Sequence, residues 1–184
     1  VSTADYAIYH PQVGDLNING GTTYGETGGI AMNAGTLNVK DGLITSKGQG
    51  STGNWGDGTG KLGNAAIHLN GKYNDVTAVI KGGSLAAEGD AVMIERGAAH
   101  TVECTISGGY FTSDPSAYLA DGKVAVASDK AGYNFMVADK PKLPDNVDVD
   151  VAVAESESKV SDKIPQEDKD AVKAAVKDIE IPTD

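Results

Sequence analysis

Of the 184 residues only one, Cys104, is a cysteine. An intrachain disulfide and a Cys-x-x-Cys metal or redox pair are therefore both excluded. Arginine is equally scarce: Arg96 stands alone beside 14 lysines, which leaves little scope for a bidentate clamp on phosphate or carboxylate. Two Phe and one Trp against 24 Gly argue for many turns and thin packing layers. Basic charge is short as well. Fifteen Lys and Arg face 26 Asp and Glu, a formal charge of −11, which argues against nucleic-acid backbones and against an anionic membrane surface. No run of 18 apolar residues is present, so no membrane insertion is expected. The chain opens Val-Ser-Thr without methionine and reads as a mature form or an excised piece.

What the chain does have is a repeated glycine corner. Ile106-Ser107-Gly108-Gly109-Tyr110-Phe111 has the same pattern as Ile80-Lys81-Gly82-Gly83-Ser84-Leu85 and Val39-Lys40-Asp41-Gly42-Leu43-Ile44, with a weaker copy at Ile18-Asn19-Gly20-Gly21-Thr22-Thr23. The second glycines stand at positions 21, 42, 83 and 109. Removing a segment at 48–63, rich in Gly, Ser, Thr and Asn, from the widest gap restores a period of about 26 residues, in the range of stacked supersecondary units. Glycine at a corner permits a sharp turn through positive φ.

Around these corners each repeat reads as three short strands. The first comprises Ile30–Met32, Ala66–Leu69 and Ala91–Ile94, with Val124–Val126 last. Alternation in the second places Ile18, Val39, Ile80 and Ile106 on one face beside Leu16, Leu37, Ala78 and Cys104. In the third, Thr23, Ile44, Leu85 and Phe111 point the same way. The fold class expected is all-β, a right-handed parallel β-helix of three short strands per coil and four to five coils. Asn19-Gly20 and Asn70-Gly71 are hairpin signals and keep an antiparallel sandwich open as the alternative.

The expected domain spans residues 1–139, with an insertion loop at 48–63 and a C-terminal cap over about 114–138. Within the cap, Asp114-Pro115 reads as a helix start. Lys140-Pro141-Lys142-Leu143-Pro144 reads as a stiff linker. Residues 140–184 then read as a linker and a strand-plus-helix tail: Val147, Val149, Val151 and Val153 alternate, and Val172, Ala175, Val176 and Ile179 fall at helical spacing. Such a tail is too small for an ordinary core of its own, and either docks on the first domain or begins another.

The run Ile106–Gly122 followed by Gly132-Tyr133 resembles the right-handed β-helix repeats of large surface proteins of Gram-positive gut bacteria, over roughly residues 6–138. The resemblance implies an exported, multidomain and often wall-anchored setting, with adhesion or glycan contact, and supplies no catalytic residues. The chain shows no wall-anchoring sorting motif.

Candidate sites are few. The insertion carries Gly53-Asn54-Trp55-Gly56-Asp57-Gly58, with the only tryptophan, in a loop, where function is often carried. Trp55 can stack on a sugar face while Asn54 and Asp57 hydrogen-bond its hydroxyls; the plainer role is an indole that pins the loop to the sheet. Asn54 and Asp57 could also hold calcium, although a single Asp-Gly lacks the repeated calcium pattern, and no other cofactor is implied. Glu88, Asp90, Glu95 and Glu103 lie within one repeat near Arg96, but no pattern brings two carboxylates face to face across a sugar. His10, His68 and His100 lie on separate repeats without metal-ligand spacing, and alternation turns His68 outward beside Met93. Cys104 reads as a small inward hydrophobe. Tyr24 and Tyr110 read as outward after their glycine corners, with Tyr73 in a turn; outward tyrosines could line a ligand strip, but scattered singly they need no such role.

The function expected is a non-catalytic, monomeric extracellular module on a bacterial surface, whose binding face serves adhesion or meets a glycan or a host or surface protein. The alternatives are a polysaccharide lyase or glycoside hydrolase using the acidic residues near Glu88–Glu103, and a structural spacer.

Overall fold

The computed structural model describes residues 1–2, 6–47 and 64–141. The chain divides into two units, Val1–Lys140 and Pro141–Asp184, and every element below belongs to the first. The tail, the insertion at 48–63 and most of the expected linker lie outside the described residues.

Two sheets make up this unit. The smaller contains β1 (Ile8–His10), β3 (Gly28–Met32), β5 (Ala65–Gly71) and β8 (Val92–Arg96), all parallel, in that spatial order. The larger contains β2 (Asp15–Gly25), β4 (Gly35–Ser46), β6 (Val76–Ile80), β7 (Ser84–Ala86), β9 (Val102–Ile106), β10 (Tyr110–Phe111), β11 (Lys123–Ala127) and β12 (Phe135–Asp139). β4 pairs on one side with β2, and on the other with β6 along its first half and β7 along its second. β9 extends β6, and β10 extends β7, in parallel.

The parallel β-helix of three short strands per coil is not what forms. The larger sheet is mixed, because β12 runs antiparallel to both β10 and β11. The second and third strands expected in the first two repeats are also not separate: β2 and β4 run unbroken through Gly20-Gly21 and Asp41-Gly42. The physical reason is that glycine at positive φ, as at Gly21 (85°) and Gly42 (119°), bends the strand and shifts its register while the ladder continues, as a bulge does. Only at Gly82-Gly83 and Gly108-Gly109 does the strand part into β6/β7 and β9/β10. Val124–Val126 fails as the first strand of a further coil. It lies in β11 and pairs with β12, Lys123 opposite Asp139 and Ala127 opposite Phe135, so this segment is a hairpin laid along β10.

Three ladders form the core of the larger sheet. Ile18, Val39, Ile80 and Ile106 align in register, as do Leu16, Leu37, Ala78 and Cys104, and Thr23, Ile44, Leu85 and Phe111. The smaller sheet faces them with Ile8, Ile30, Ile67 and Val92, and with Met32, Leu69 and Ile94. Most of these side chains are fully buried and form one cluster. The only helical element among the described residues is a single 3-10 turn, Ser116–Tyr118. Asp114 accepts hydrogen bonds from Ser116 N (2.9 Å) and Ser116 Oγ (2.5 Å) ahead of it. Among the described residues no helix is long and apolar enough to cross a membrane.

His68 departs from the alternation argument. Every residue of β5 is buried, on both faces of the strand, and His68 is 1% exposed. Tyr6, itself buried, lies over the outer face and pairs its hydroxyl with His68 Nδ1 at 3.1 Å. Gly28 makes this possible, since a Cβ there would collide with the Tyr6 ring. Alternation correctly separates the two faces of β5, but it cannot see a covering segment from elsewhere in the chain.

Candidate functional site

Trp55, Asn54 and Asp57 lie outside the described residues, and so does the calcium expectation attached to the latter two. Among the described residues no three His, Cys, Asp or Glu side chains are grouped so as to hold a metal ion.

The carboxylates of the third repeat go separate ways. Glu88 and Asp90 are exposed on the connection between β7 and β8. Thr112 and Ser113, just beyond β10, brace this connection through hydrogen bonds to Ala87 and Ala91. Glu95 is on β8 and Glu103 on β9, strands of different sheets. Glu95 Oε2 sits 3.4 Å from His68 Nε2 without a hydrogen bond. Burial pushes the His68 pKa down to about 4, so the imidazole is neutral near pH 7. Tyr6 and His68 thus form a covered polar pair, with the part-exposed Glu95 at its edge, rather than an open catalytic array.

Other titratable groups are explained locally. Asp75 Oδ1 accepts from Thr101 N at 2.8 Å and from Thr101 Oγ1 at 3.1 Å, with His100 Nδ1 3.6 Å away. The Thr101 hydrogen bonds hold its carboxyl below the usual range. Cys104 aligns with Ala78 as expected but is only half-buried. Its thiol is pushed up to about 12 by burial, against the opposing pull of Arg96. Such a thiol carries almost no nucleophilic thiolate near neutrality.

The tyrosines do not all stand alone. Tyr24 donates to Glu26 Oε2 at 2.8 Å, and Lys72 Nζ lies 5.2 Å from the Tyr73 ring centre. Tyr110 is the important case. As the first residue of β10 it aligns with Ser84 on β7 and Met136 on β12. Its ring meets Tyr133 with centroids 6.1 Å apart and planes at 58°, within the tilted geometry aromatic pairs favour. Lys130 Nζ lies 4.7 Å from the Tyr110 centroid and 5.0 Å from that of Tyr133, in range for cation–π attraction to both. The same nitrogen donates to Ser84 Oγ at 2.6 Å. Both rings are half-buried, Ser84 is buried and Lys130 is exposed.

Backbone geometry holds this cluster in place. The turn linking β11 to β12 is closed by Ser128 N to Asn134 O (3.1 Å), Tyr133 N to Lys130 O (3.2 Å) and Lys130 N to Ser128 Oγ (3.0 Å). Asn134 ties it to the end of β10, donating from N to Phe111 O at 3.0 Å and from Nδ2 to Thr112 O at 2.7 Å. Sequence reasoning places Tyr110 outward but misses Lys130, Tyr133 and Ser84. The usable signal is the polar turn Ser128-Asp129-Lys130-Ala131-Gly132 between two apolar alternating runs. Read as a hairpin, it returns Tyr133 to the neighbourhood of Tyr110.

Comparisons of the chain with protein-family models, with curated proteins and with solved structures gave no match.

Proposed function

We propose that the chain is a non-catalytic extracellular surface module whose Tyr110–Tyr133–Lys130 cluster is a contact face for glycans in adhesion. The carrying observation is the ring pair itself: two half-buried tyrosines at 58°, with an ammonium between them and a hydroxyl behind it. Tyrosine offers rigid, amphipathic contact area at small conformational cost. A sugar presents C–H faces to rings and hydroxyls to polar groups, and this cluster has both kinds of partner. The stacked apolar ladders beneath it supply the firm support that a preorganised site needs.

The insertion with Trp55, Asn54 and Asp57 is a second candidate for the same role, and the same experiment separates the two. Screen a glycan array with the unaltered chain, Tyr133→Ala and Trp55→Ala, with and without calcium. Binding lost in Tyr133→Ala and kept in Trp55→Ala is the expected result. Loss in Trp55→Ala alone would move the site to the insertion, and a calcium requirement there would implicate Asn54 and Asp57. An array blank for all three proteins would sink the glycan reading and favour a spacer.

A further inference from the structure

Lys130 belongs to an acidic protein, yet among the described residues its ammonium has no carboxylate partner. The chain carries 26 Asp and Glu; Lys123 pairs with Asp139, and His68 and His100 lie near Glu95 and Asp75. Lys130 is held instead by two ring faces and one hydroxyl. An ammonium has three donors; Ser84 Oγ takes one, and the others remain available at an exposed residue. Lysine ordinarily loses much rotamer freedom when it binds. Here the three contacts and the closed Ser128–Asn134 turn have already fixed the charge.

Resting on the glycan reading above, we infer that the cluster selects acidic sugars. The carboxylate of a uronate or sialate residue would accept from Lys130 Nζ while the ring stacks on Tyr133 or Tyr110. Overall charge opposes an anionic ligand at a distance. At physiological salt that repulsion is screened over about 8 Å, so selection is decided by contacts at the cluster. Asp129, exposed and next in sequence, is the nearest acid along the chain.

The test is calorimetric titration of the full chain with two matched pairs: oligogalacturonate against its methyl ester, and sialyllactose against lactose. The acidic member of at least one pair should bind about tenfold more tightly or better, the worth of one charge-assisted hydrogen bond. Which pair responds tells uronate from sialate. Lys130→Met should erase the preference, Lys130→Arg should retain part of it, and Tyr133→Ala should weaken both members of the responding pair. Equal affinity for acidic and neutral members, with loss in Tyr133→Ala, would overturn the acidic selection and leave the glycan reading standing. A preference that survives Lys130→Met would also overturn it, and so would no binding to any of the four, an outcome that leaves the glycan reading to be decided by the array.

Discussion

At the scale of single residues, His68 couples fold to pH. Its folded pKa is held near 4, against an ordinary value near 6.5. The unfolded chain therefore takes up a proton over a range where the folded chain does not. Stability is full above about pH 6.5, falls as pH drops towards about 4, and levels off below that, a loss of up to about 3 kcal/mol. Urea midpoints measured between pH 7 and pH 4 should show this slope, and His68→Gln should flatten it. If the variant keeps the slope, another group is responsible. The residue also marks a limit of sequence reading. The period of two correctly puts Ile67 and Leu69 on the face opposite His68. The ring of Tyr6, delivered from 62 positions away, then reverses the expected exposure.

At the scale of elements, the glycine corners are the most legible feature, and their consequence is the least. Gly83 has a φ of 92°, and an added Cβ would meet Gly42 O at 3.0 Å. Gly83→Ala should therefore cost about 1–2 kcal/mol from the left-handed backbone alone, with the crowding added. Chemical denaturation would check it, and a neutral result would mean the corner is free to relax. The in-register ladders are readable because apolar alternation repeats at a fixed offset from each corner. Whether a corner ends a strand is not readable, since Gly42 and Gly83 share a sequence pattern. The structure continues β4 through one and separates β6 from β7 at the other. The hairpin β11–β12 escapes notice because Val124–Val126 matches the repeat's first strand in composition. Its antiparallel partner decides otherwise.

At the scale of the whole described unit, stability comes from side chains stacked along the ladders, and one ladder ends on the largest fully buried side chain among the described residues. Phe111 is fully buried at the end of the series Thr23, Ile44, Leu85, Phe111, directly opposite Phe135 of the hairpin. Phe111→Ala should cost about 3–5 kcal/mol, a large share of a typical domain stability of roughly 5–15 kcal/mol. A calorimetric scan should show a markedly lower midpoint. The substitution should also weaken the Lys130 cluster, because the hairpin that carries Lys130 sets Phe135 against the core opposite the Phe111 side chain. The candidate glycan face is only partly legible from sequence for a related reason. Ser84 and Lys130 are 46 positions apart, and no local pattern announces that they meet.

The Tyr6–His68 contact has a further consequence, for the order of events in folding. Parallel pairing already makes each strand wait for a partner beyond an intervening connection, which slows folding relative to local contacts. Tyr6 must wait longer still, because its place over His68 exists only once β3 and β5 are side by side with Gly28 beneath the ring. This clasp is therefore expected to close late, after the sheet it covers. In the reverse direction it can release first, admitting water to the outer face of β5 while the ladders beneath remain assembled.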